Sequence, residues 1–420
     1  MRTDVRLSTR FLTTQNAHQV GVLVSLACDR PVRRAPINLA LVLDRSGSMN
    51  GAPLAAAKEA ATRFAGHLGA ADRLTVIAFD DTVETVYGPA QCGDPLVEDA
   101  IARICSGGST NLSGGWLLGR KLVQQGRVEG VNRVVLLTDG QANVGLVEPA
   151  QLLGLAEGGA ARGITTTCFG FGEHYNEDLL EAMARAGGGN YWYVEQDDQM
   201  AQIFAGEIEG LVALAAQNVE IEVRLTDPRV AGVSFLQSYQ VEKTEAGGWR
   251  VRLNDLYATS PKALGLVLHV EDVREIGKVQ LAEVRVEADV VTETGIEHRT
   301  TVIPVLANLD GEDHVEPAVE ETFIRFQVAK AREEAVRLAD RGDFDGAAAS
   351  LGAARAALAA CPPGPLVAEE VEDLEEQAAR MRARLYEAKD RKYQSARAMA
   401  ARDLNADYAA KVSRRRPSEK

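Results

Sequence analysis

Short apolar runs alternate with helical patterns from Pro36 to about Leu214, and this alternation restricts the possible folds more than any other feature of the chain. Five runs have the composition of strands: INLALVL, RLTVIAF, RVVLLT, ITTTCFGF and NYWYVE. Most are apolar at successive positions, as expected for strands that are buried on both faces. Because alternating strands and helices require right-handed crossovers, the pattern predicts a doubly wound, mostly parallel α/β sheet.

The segments between these runs have helical periodicity. Examples are APLAAAKEAATRFAGHL, DPLVEDAIARIC and NEDLLEAMARAGGG. In the last of these, Asn176 is suited to cap the start of a helix and the glycines from Gly187 to Gly189 are suited to end it. We therefore assign residues 36–214 to one α/β domain.

The sequence changes character after Leu214. Segments such as NVEIEVRLTD, GWRVRLNDL and VQLAEVRVEADVV alternate apolar and polar residues with a period of two. This pattern predicts an antiparallel β-sandwich domain over residues 215–316. Residues 1–35 have the same texture, and we expect their strands to pair with the sandwich.

The remaining sequence is helical in pattern. Residues 317–410 begin with two predicted antiparallel helices joined at RGDFDG, and the punctuation CPPGPL then introduces a long charged helix that we expect to run to about residue 409. The tail, residues 411–420, is predicted to be disordered.

Composition excludes several classes of protein. The 420 residues carry a net charge of −14, which argues against nucleic-acid binding. The five cysteines are scattered without a CxxC pair, so neither a disulfide framework nor a zinc ribbon fits. No signal-peptide core and no run of about 18 apolar residues is present, and a cytoplasmic location without a membrane span is the simplest prediction.

Three loops that are distant in sequence carry small oxygen-bearing side chains. The segment LALVLDRSGSMN contains Asp44, Ser46 and Ser48; GGSTNLSGG contains Thr110; and LLTDGQAN contains Asp139. Asp44 and Asp139 each end a predicted strand. Because binding crevices in open α/β sheets form at the carboxyl ends of the strands, we expect the three loops to converge.

Convergence would supply two carboxylates and three hydroxyls. These hard oxygen donors suit Mg²⁺, with Mn²⁺ or Ca²⁺ as alternatives, and they do not suit zinc. Neutral hydroxyls do little to neutralise a metal ion, so the ion would attract a further anionic ligand. The natural source of that ligand is a carboxylate from a partner protein.

DRSGSM, the threonine of GGSTN and LLTDG, in that order on an alternating β/α chain, resemble a von Willebrand factor A-type (VWA) domain. The metal-ion-dependent adhesion site (MIDAS) of that family has the pattern DxSxS…T…D. The resemblance covers roughly residues 36–214, and it carries the metal ligands onto five positions of this chain: Asp44, Ser46, Ser48, Thr110 and Asp139. It implies a Rossmann-like VWA fold with an intact MIDAS, of the intracellular bacterial type.

The resemblance also implies a function. It predicts a non-enzymatic, Mg²⁺-dependent protein–protein interaction module that binds an Asp or Glu of its partner through the MIDAS. Intracellular bacterial members commonly work beside chaperone-like ATPases or signalling enzymes, which are therefore the partners that the resemblance suggests.

Other interpretations stay open at the level of sequence. Ser48 could simply cap the helix that follows it. The chain could be a structural or oligomeric assembly protein in which the metal only stabilises the fold. A metal-assisted hydrolase is a third possibility, although the sequence shows no base or nucleophile for it.

Four further motifs receive structural interpretations. FGFGEHY lacks the third glycine of a dinucleotide fingerprint and is assigned to a strand end and turn. The pair Asp80–Asp81 is interpreted as a solvated turn rather than an auxiliary cation site. The RGD at Arg341–Asp343 is interpreted as an ordinary turn. The acidic run from Ala368 is interpreted as a solvated helix face, with supply of the missing metal ligand as an alternative.

Overall fold

A computed structural model places ten helices and fifteen strands in the part of the chain that it describes. The described residues are 1–12, 17–29, 34–91, 96–140, 143–172, 175–194, 197–258, 260–271, 277–292, 295–362 and 365–404. The strands form three sheets of six, five and four strands. Among the described helices, none is both long enough and apolar enough to cross a membrane.

The six-stranded sheet is the centre of the α/β domain and has the order β5-β4-β3-β6-β7-β8. Its strands are β3 (Ile37–Asp44), β4 (Arg73–Phe79), β5 (Val83–Gln91), β6 (Val131–Thr138), β7 (Thr165–Phe171) and β8 (Gly188–Val194). All neighbouring pairs are parallel except β4 and β5, which are antiparallel. The predicted doubly wound, mostly parallel sheet is therefore confirmed, with one antiparallel edge strand that the sequence did not indicate.

Six helices cover the two faces of this sheet. They are α1 (Ala52–His67), α2 (Leu96–Ala102), α3 (Leu112–Gln125), α4 (Pro149–Ala160), α5 (Glu177–Ala186) and α6 (Asp197–Val212). One hydrophobic core lies under α1 and α6, and a second lies under α3, α4 and α5. Asn176 caps α5 as predicted, because its side chain accepts from the Leu179 amide at 3.1 Å. The helix ends at Gly187, and the next two glycines already belong to β8.

The other two sheets are antiparallel and enclose one shared hydrophobic core, as in a sandwich. The four-stranded sheet has the order β1-β2-β13-β10, with β1 (Arg2–Leu12), β2 (Ala17–Ala27), β10 (Val230–Phe235) and β13 (Lys262–Val270). The five-stranded sheet has the order β11-β12-β9-β14-β15, with β9 (Leu214–Leu225), β11 (Val241–Lys243), β12 (Trp249–Tyr257), β14 (Gly277–Val291) and β15 (Ile296–Leu309). The N-terminal strands thus pair with a strand that follows the α/β domain in sequence.

The C-terminal part begins with the expected antiparallel helices α7 (Pro317–Asp340) and α8 (Phe344–Ala359). The prediction of a single long charged helix to about residue 409 is wrong. Two helices occupy this region, α9 (Pro365–Arg382) and α10 (Ala388–Arg402). Arg384 adopts a left-handed backbone with φ of 55°, which ends α9, and Glu387 starts α10 through a reciprocal capping box with Asp390. The predicted disordered tail, 411–420, lies outside the described residues.

Helix α10 packs against the α/β domain, far from it in sequence. Four of its residues belong to the hydrophobic core beneath α3, α4 and α5: Tyr393, Ala396, Met399 and Ala400. Lys392 is buried at the edge of this contact, where its ammonium donates to the Tyr175 carbonyl at 2.9 Å and to Glu177 at 2.6 Å. Helix α10 therefore completes the hydrophobic core that lies beneath α3, α4 and α5.

Candidate metal centre

The first and third oxygen-bearing loops meet because their strands are neighbours. Strands β3 and β6 run parallel with Leu43 opposite Leu137, so the loops that follow them leave the sheet at the same edge. The second loop joins them through the backbone. The Gly47 amide donates to the Gly108 carbonyl at 2.9 Å, and the Thr110 carbonyl accepts from the Asn143 amide at 3.2 Å.

Hydrogen bonds connect the side chains of these loops. The Ser46 amide donates to Asp44 Oδ1 at 2.8 Å, and the hydroxyl oxygens of Ser46 and Ser48 lie 3.2 Å apart. The Ser48 hydroxyl then donates to Asp139 Oδ1 at 2.8 Å. Asp44, Ser46 and Asp139 are buried whereas Ser48 is exposed, so this chain of bonds reaches the surface at Ser48.

Thr110 completes the group on the far side of Gly140. A Cβ atom built on Gly140 would lie 2.9 Å from Thr110 Oγ1 and 3.6 Å from Asp44 Oδ2. The threonine hydroxyl and the buried carboxylate therefore border the same small space. The structure brings all five of the sequence-predicted site residues together.

Ser48 does not cap a helix. Helix α1 has Gly51 at its N-cap position, without a side-chain hydrogen bond. A short 3₁₀ turn at Gly47–Met49 precedes that helix, and it also has no side-chain cap. The Ser48 hydroxyl bonds to Asp139 instead.

Asp44 is fully buried among neutral hydrogen-bond donors. Burial raises the pKa of its carboxyl from 3.8 to about 6, and the nearby Asp139 acts in the same direction, although hydrogen bonds from Ser46 and Thr138 lower it. The Thr138 hydroxyl donates to Asp44 Oδ2 at 2.5 Å and accepts from the Gly140 amide at 3.1 Å. Sequence reasoning missed Thr138, although its place directly before Asp139 in LLTDG was the available signal.

The donor set fits Mg²⁺. It consists of oxygen atoms, two from carboxylate groups and three from hydroxyls, which are the ligands that a hard cation prefers. A buried carboxylate whose pKa is raised by lack of compensation is also one that a cation would stabilise. In the described part of the chain, no three His, Cys, Asp or Glu side chains gather into a group that could hold a metal, so the two-carboxylate centre has no rival of that kind.

Asp80 is buried, and its interpretation as part of a solvated turn is wrong. Its Oδ1 accepts from both the amide and the hydroxyl of Thr82, at 2.8 and 2.7 Å, and its Oδ2 accepts from Arg45 Nε at 3.1 Å. Its neighbour Asp81 is exposed, as expected for a turn. The pairing of Asp80 with Arg45 was not visible in sequence because the two residues lie in different loops.

The remaining motifs have structural roles. The FGFG segment ends β7 at Phe171, and Gly172 turns the chain with φ of 72°; residues 173–174 lie outside the described residues. Asp343 of the RGD segment caps α8 by accepting from the Gly346 amide at 2.9 Å.

The acidic run from Ala368 has an inner and an outer face. Glu370 and Asp373 form ion pairs with Arg332, which is buried. Those two carboxylates are therefore engaged within the helical region. The prediction of a solvated helix face is therefore wrong for these two residues.

Comparison with known proteins identifies the family. The sequence profile of the von Willebrand factor type A domain matches residues 38–206. The Synechocystis protein sll0103 is 30% identical over 301 residues, which make up 67% of this chain and 70% of that protein. The Arabidopsis thaliana E3 ubiquitin-protein ligase WAV3 is 30% identical over 256 residues, but the match spans 57% of this chain and only 32% of the ligase.

The fold has a solved counterpart. The von Willebrand factor type A protein from Catenulispora acidiphila superimposes with a TM-score of 0.67, covering 90% of this chain and 89% of its own. Its sequence identity of 18% makes this a likeness of fold alone. With the α/β domain, the profile match and the relationship to sll0103 in agreement, the chain belongs to the von Willebrand factor type A domain family.

Proposed function

We propose that this chain is a non-enzymatic, Mg²⁺-dependent interaction module that binds a carboxylate of a partner protein. The observation that carries the proposal is the convergence of Asp44, Ser46, Ser48, Thr110 and Asp139 from three loops at one edge of the sheet. A partner that supplies an Asp or Glu would complete the set.

Each side chain has a role in this proposal. The buried Asp44 supplies negative charge at the base of the centre, and the hydroxyls of Ser46, Ser48 and Thr110 supply neutral oxygens. Ser48 is exposed and donates to the buried Asp139, so the Ser48 hydroxyl is where a partner could approach the centre. A bound Mg²⁺ would supply an electrophilic centre for the partner's carboxylate oxygen.

The hydrogen-bond partners of the two serines in the described part of the chain favour binding over hydrolysis. Ser46 and Ser48 bond to each other, and Ser48 bonds to Asp139, so among the described residues neither hydroxyl is bonded to a histidine. The name of WAV3 describes a ligase, but the match covers only a third of that protein. We therefore do not extend ligase activity to this chain, and the suggested ATPase or signalling-enzyme partners stay predictions.

Titration with Mg²⁺ tests the first half of the proposal. Isothermal calorimetry on the full chain should detect Mg²⁺ binding, and Asp139→Ala should abolish it. Glu59→Gln is the matched control, because Glu59 is an exposed carboxylate paired with Arg63 on α1. Equal binding by wild type and Asp139→Ala would contradict the proposal.

Capture from a lysate of the source organism tests the second half. The immobilised wild-type chain should retain a partner in Mg²⁺ and release it in EDTA, and Asp139→Ala should retain none. Substitution of the partner's contacting Asp or Glu by Asn or Gln should then abolish capture. If EDTA instead unfolds the chain and no capture depends on Mg²⁺, the metal has a structural role and the interaction proposal is wrong.

A further inference from the structure

Arg45, the second residue of DRSGS, links the segments that surround the metal centre. Its amide donates to the Phe79 carbonyl at the end of β4 at 2.8 Å, and its carbonyl accepts from the Gly107 amide at 2.7 Å. Its guanidinium turns back toward the β4–β5 turn and the start of β5, where Nε donates to Asp80 Oδ2 at 3.1 Å and Nη1 donates to Glu84 Oε2 at 3.0 Å. The side chain is only 16% exposed, so the arginine is embedded between the loops.

Asp80 contacts the loop that carries Thr110, residues 107–111, which we call the threonine loop. Its carbonyl accepts from the amide of Asn111, the residue directly after Thr110, at 2.7 Å. Its carboxylate is pressed against Gly107 so closely that a Cβ atom there would lie 1.9 Å from Asp80 Oδ2. Asp80 therefore contacts the threonine loop both before and after Thr110.

We propose that Arg45 and Asp80 form a positioning pair. The pair sets the distance between the serine loop, which carries Ser46 and Ser48, and the threonine loop, and it thereby sets the affinity of the centre for Mg²⁺. The inference rests on the proposed function. Neither residue would contact the ion. Both act through the loops that carry Ser46 and Thr110.

The need for such a pair follows from the chain path. Ser46 and Thr110 are 64 residues apart in sequence, and the contacts between their loops are non-covalent. Mg²⁺ demands near-ideal octahedral geometry, with oxygens at roughly 2.0–2.1 Å. Loss of the outer partners that orient metal ligands typically lowers metal affinity by about 10–100-fold.

The ion pairs of Arg45 indicate that it positions the loops and does not itself bind the partner's carboxylate. Its guanidinium is paired with both Asp80 and Glu84, so its charge is engaged within the protein rather than offered to a partner's carboxylate. An effect of Arg45 on binding of Mg²⁺ alone, with no partner protein present, is therefore the signature of positioning.

The test is a Mg²⁺ titration of the full chain carrying Arg45→Ala, Asp80→Asn or Arg45→Lys. We expect Arg45→Ala and Asp80→Asn to weaken Mg²⁺ binding by about 10–100-fold. Arg45→Lys should lie between them and wild type, because an ammonium lacks the forked donors that reach both carboxylates. Arg63→Ala is the control, since Arg63 forms an exposed pair with Glu59 on α1 and should leave the affinity unchanged.

Hydrogen exchange in the metal-free protein supplies a second readout. The amides of Gly107 and Asn111 should exchange faster in Arg45→Ala and Asp80→Asn than in wild type or Arg63→Ala, while far-UV circular dichroism stays the same. Wild-type affinity in both variants would overturn the inference. A wild-type chain that binds no Mg²⁺ would contradict the proposed function instead, and unchanged exchange of the two amides would then refute the structural link as well.

Discussion

Arg133 of β6 and Asp255 of β12 form a buried ion pair between the six-stranded sheet and the five-stranded sheet. The same guanidinium donates to Glu207 of α6 at 2.8 Å and to the Tyr257 hydroxyl at 3.1 Å. One arginine thus compensates two buried carboxylates that come from different parts of the chain. This arrangement fastens the sandwich to the α/β domain.

Arg133→Met should therefore be strongly destabilising. It removes the arginine that pairs with both buried carboxylates, Glu207 and Asp255, and breaking a buried ion pair in this way costs about 3–5 kcal/mol. Urea unfolding followed by tryptophan fluorescence would measure the loss. The triple variant that adds Glu207→Gln and Asp255→Asn should recover much of it, and Arg63→Met, at an exposed pair, should cost no more than about 1 kcal/mol. A small effect of Arg133→Met alone would contradict the assignment.

Asp44→Asn should make the metal-free protein more stable near neutral pH. Because the folded chain holds the Asp44 proton more tightly than the unfolded chain, this residue stabilises the fold below pH 3.8, and that contribution is lost as the pH rises through about 6. The interval between 3.8 and about 6 corresponds to about 3 kcal/mol. The difference in unfolding free energy between Asp44→Asn and wild type, measured in EDTA, should grow across that interval.

Excess Mg²⁺ at pH 7.5 provides the companion measurement. Wild type should gain stability because the ion binds the folded state, and Asp44→Asn should not. If the variant and wild type respond to pH in parallel in EDTA, the buried carboxylate is not the source of the penalty.

Gly140→Ala should weaken Mg²⁺ binding because the added methyl displaces Thr110. The added methyl would lie 2.9 Å from Thr110 Oγ1, so it intrudes on the space that the threonine and Asp44 border. We expect a loss of affinity of about 10-fold or more in calorimetry. Gly154→Ala is the matched control, because Gly154 lies in α4 with open space around it and alanine there should add about 0.5–1 kcal/mol of stability without changing Mg²⁺ affinity.

Asp343→Ala should destabilise the helical region by about 1 kcal/mol, the usual cost of losing an N-cap. Its carboxylate accepts from the Gly346 amide at the start of α8. Asp343→Asn should be nearly neutral, because asparagine caps as well as aspartate. Thermal unfolding compares the two variants, and equal loss in both would point to a role for the charge rather than for the cap.

Sequence reasoning located the candidate site because its signals are local. Asp44 and Asp139 each close an apolar run, so strand prediction alone places both at the carboxyl edge of a parallel sheet. The residue types of Ser46, Ser48 and Thr110 then suggested one centre. The supporting residues gave no such signal. Arg45 and Asp80 meet across loops, and each looks like an ordinary surface residue in its own segment.

The parts of the fold that sequence missed depend on non-local contacts or weak patterns. Strand β5 is largely exposed and has no regular alternation of buried residues, so its sequence lacks a strand period. The break between α9 and α10 lacks a glycine or proline and depends on the left-handed backbone of Arg384. The burial of α10 against the α/β domain follows from tertiary contacts that no local pattern encodes.

The position of α10 also has a consequence for how the protein is made. Tyr393 and Met399 belong to the core of a domain whose first strand begins at Ile37. A ribosome delivers Ile37 more than 300 residues ahead of them, so the part of the core that α10 covers stays uncovered while the rest of the α/β domain is synthesised. Strands β1 and β2 wait similarly for β13. The cores are therefore completed in a different order from that in which their strands and helices are synthesised.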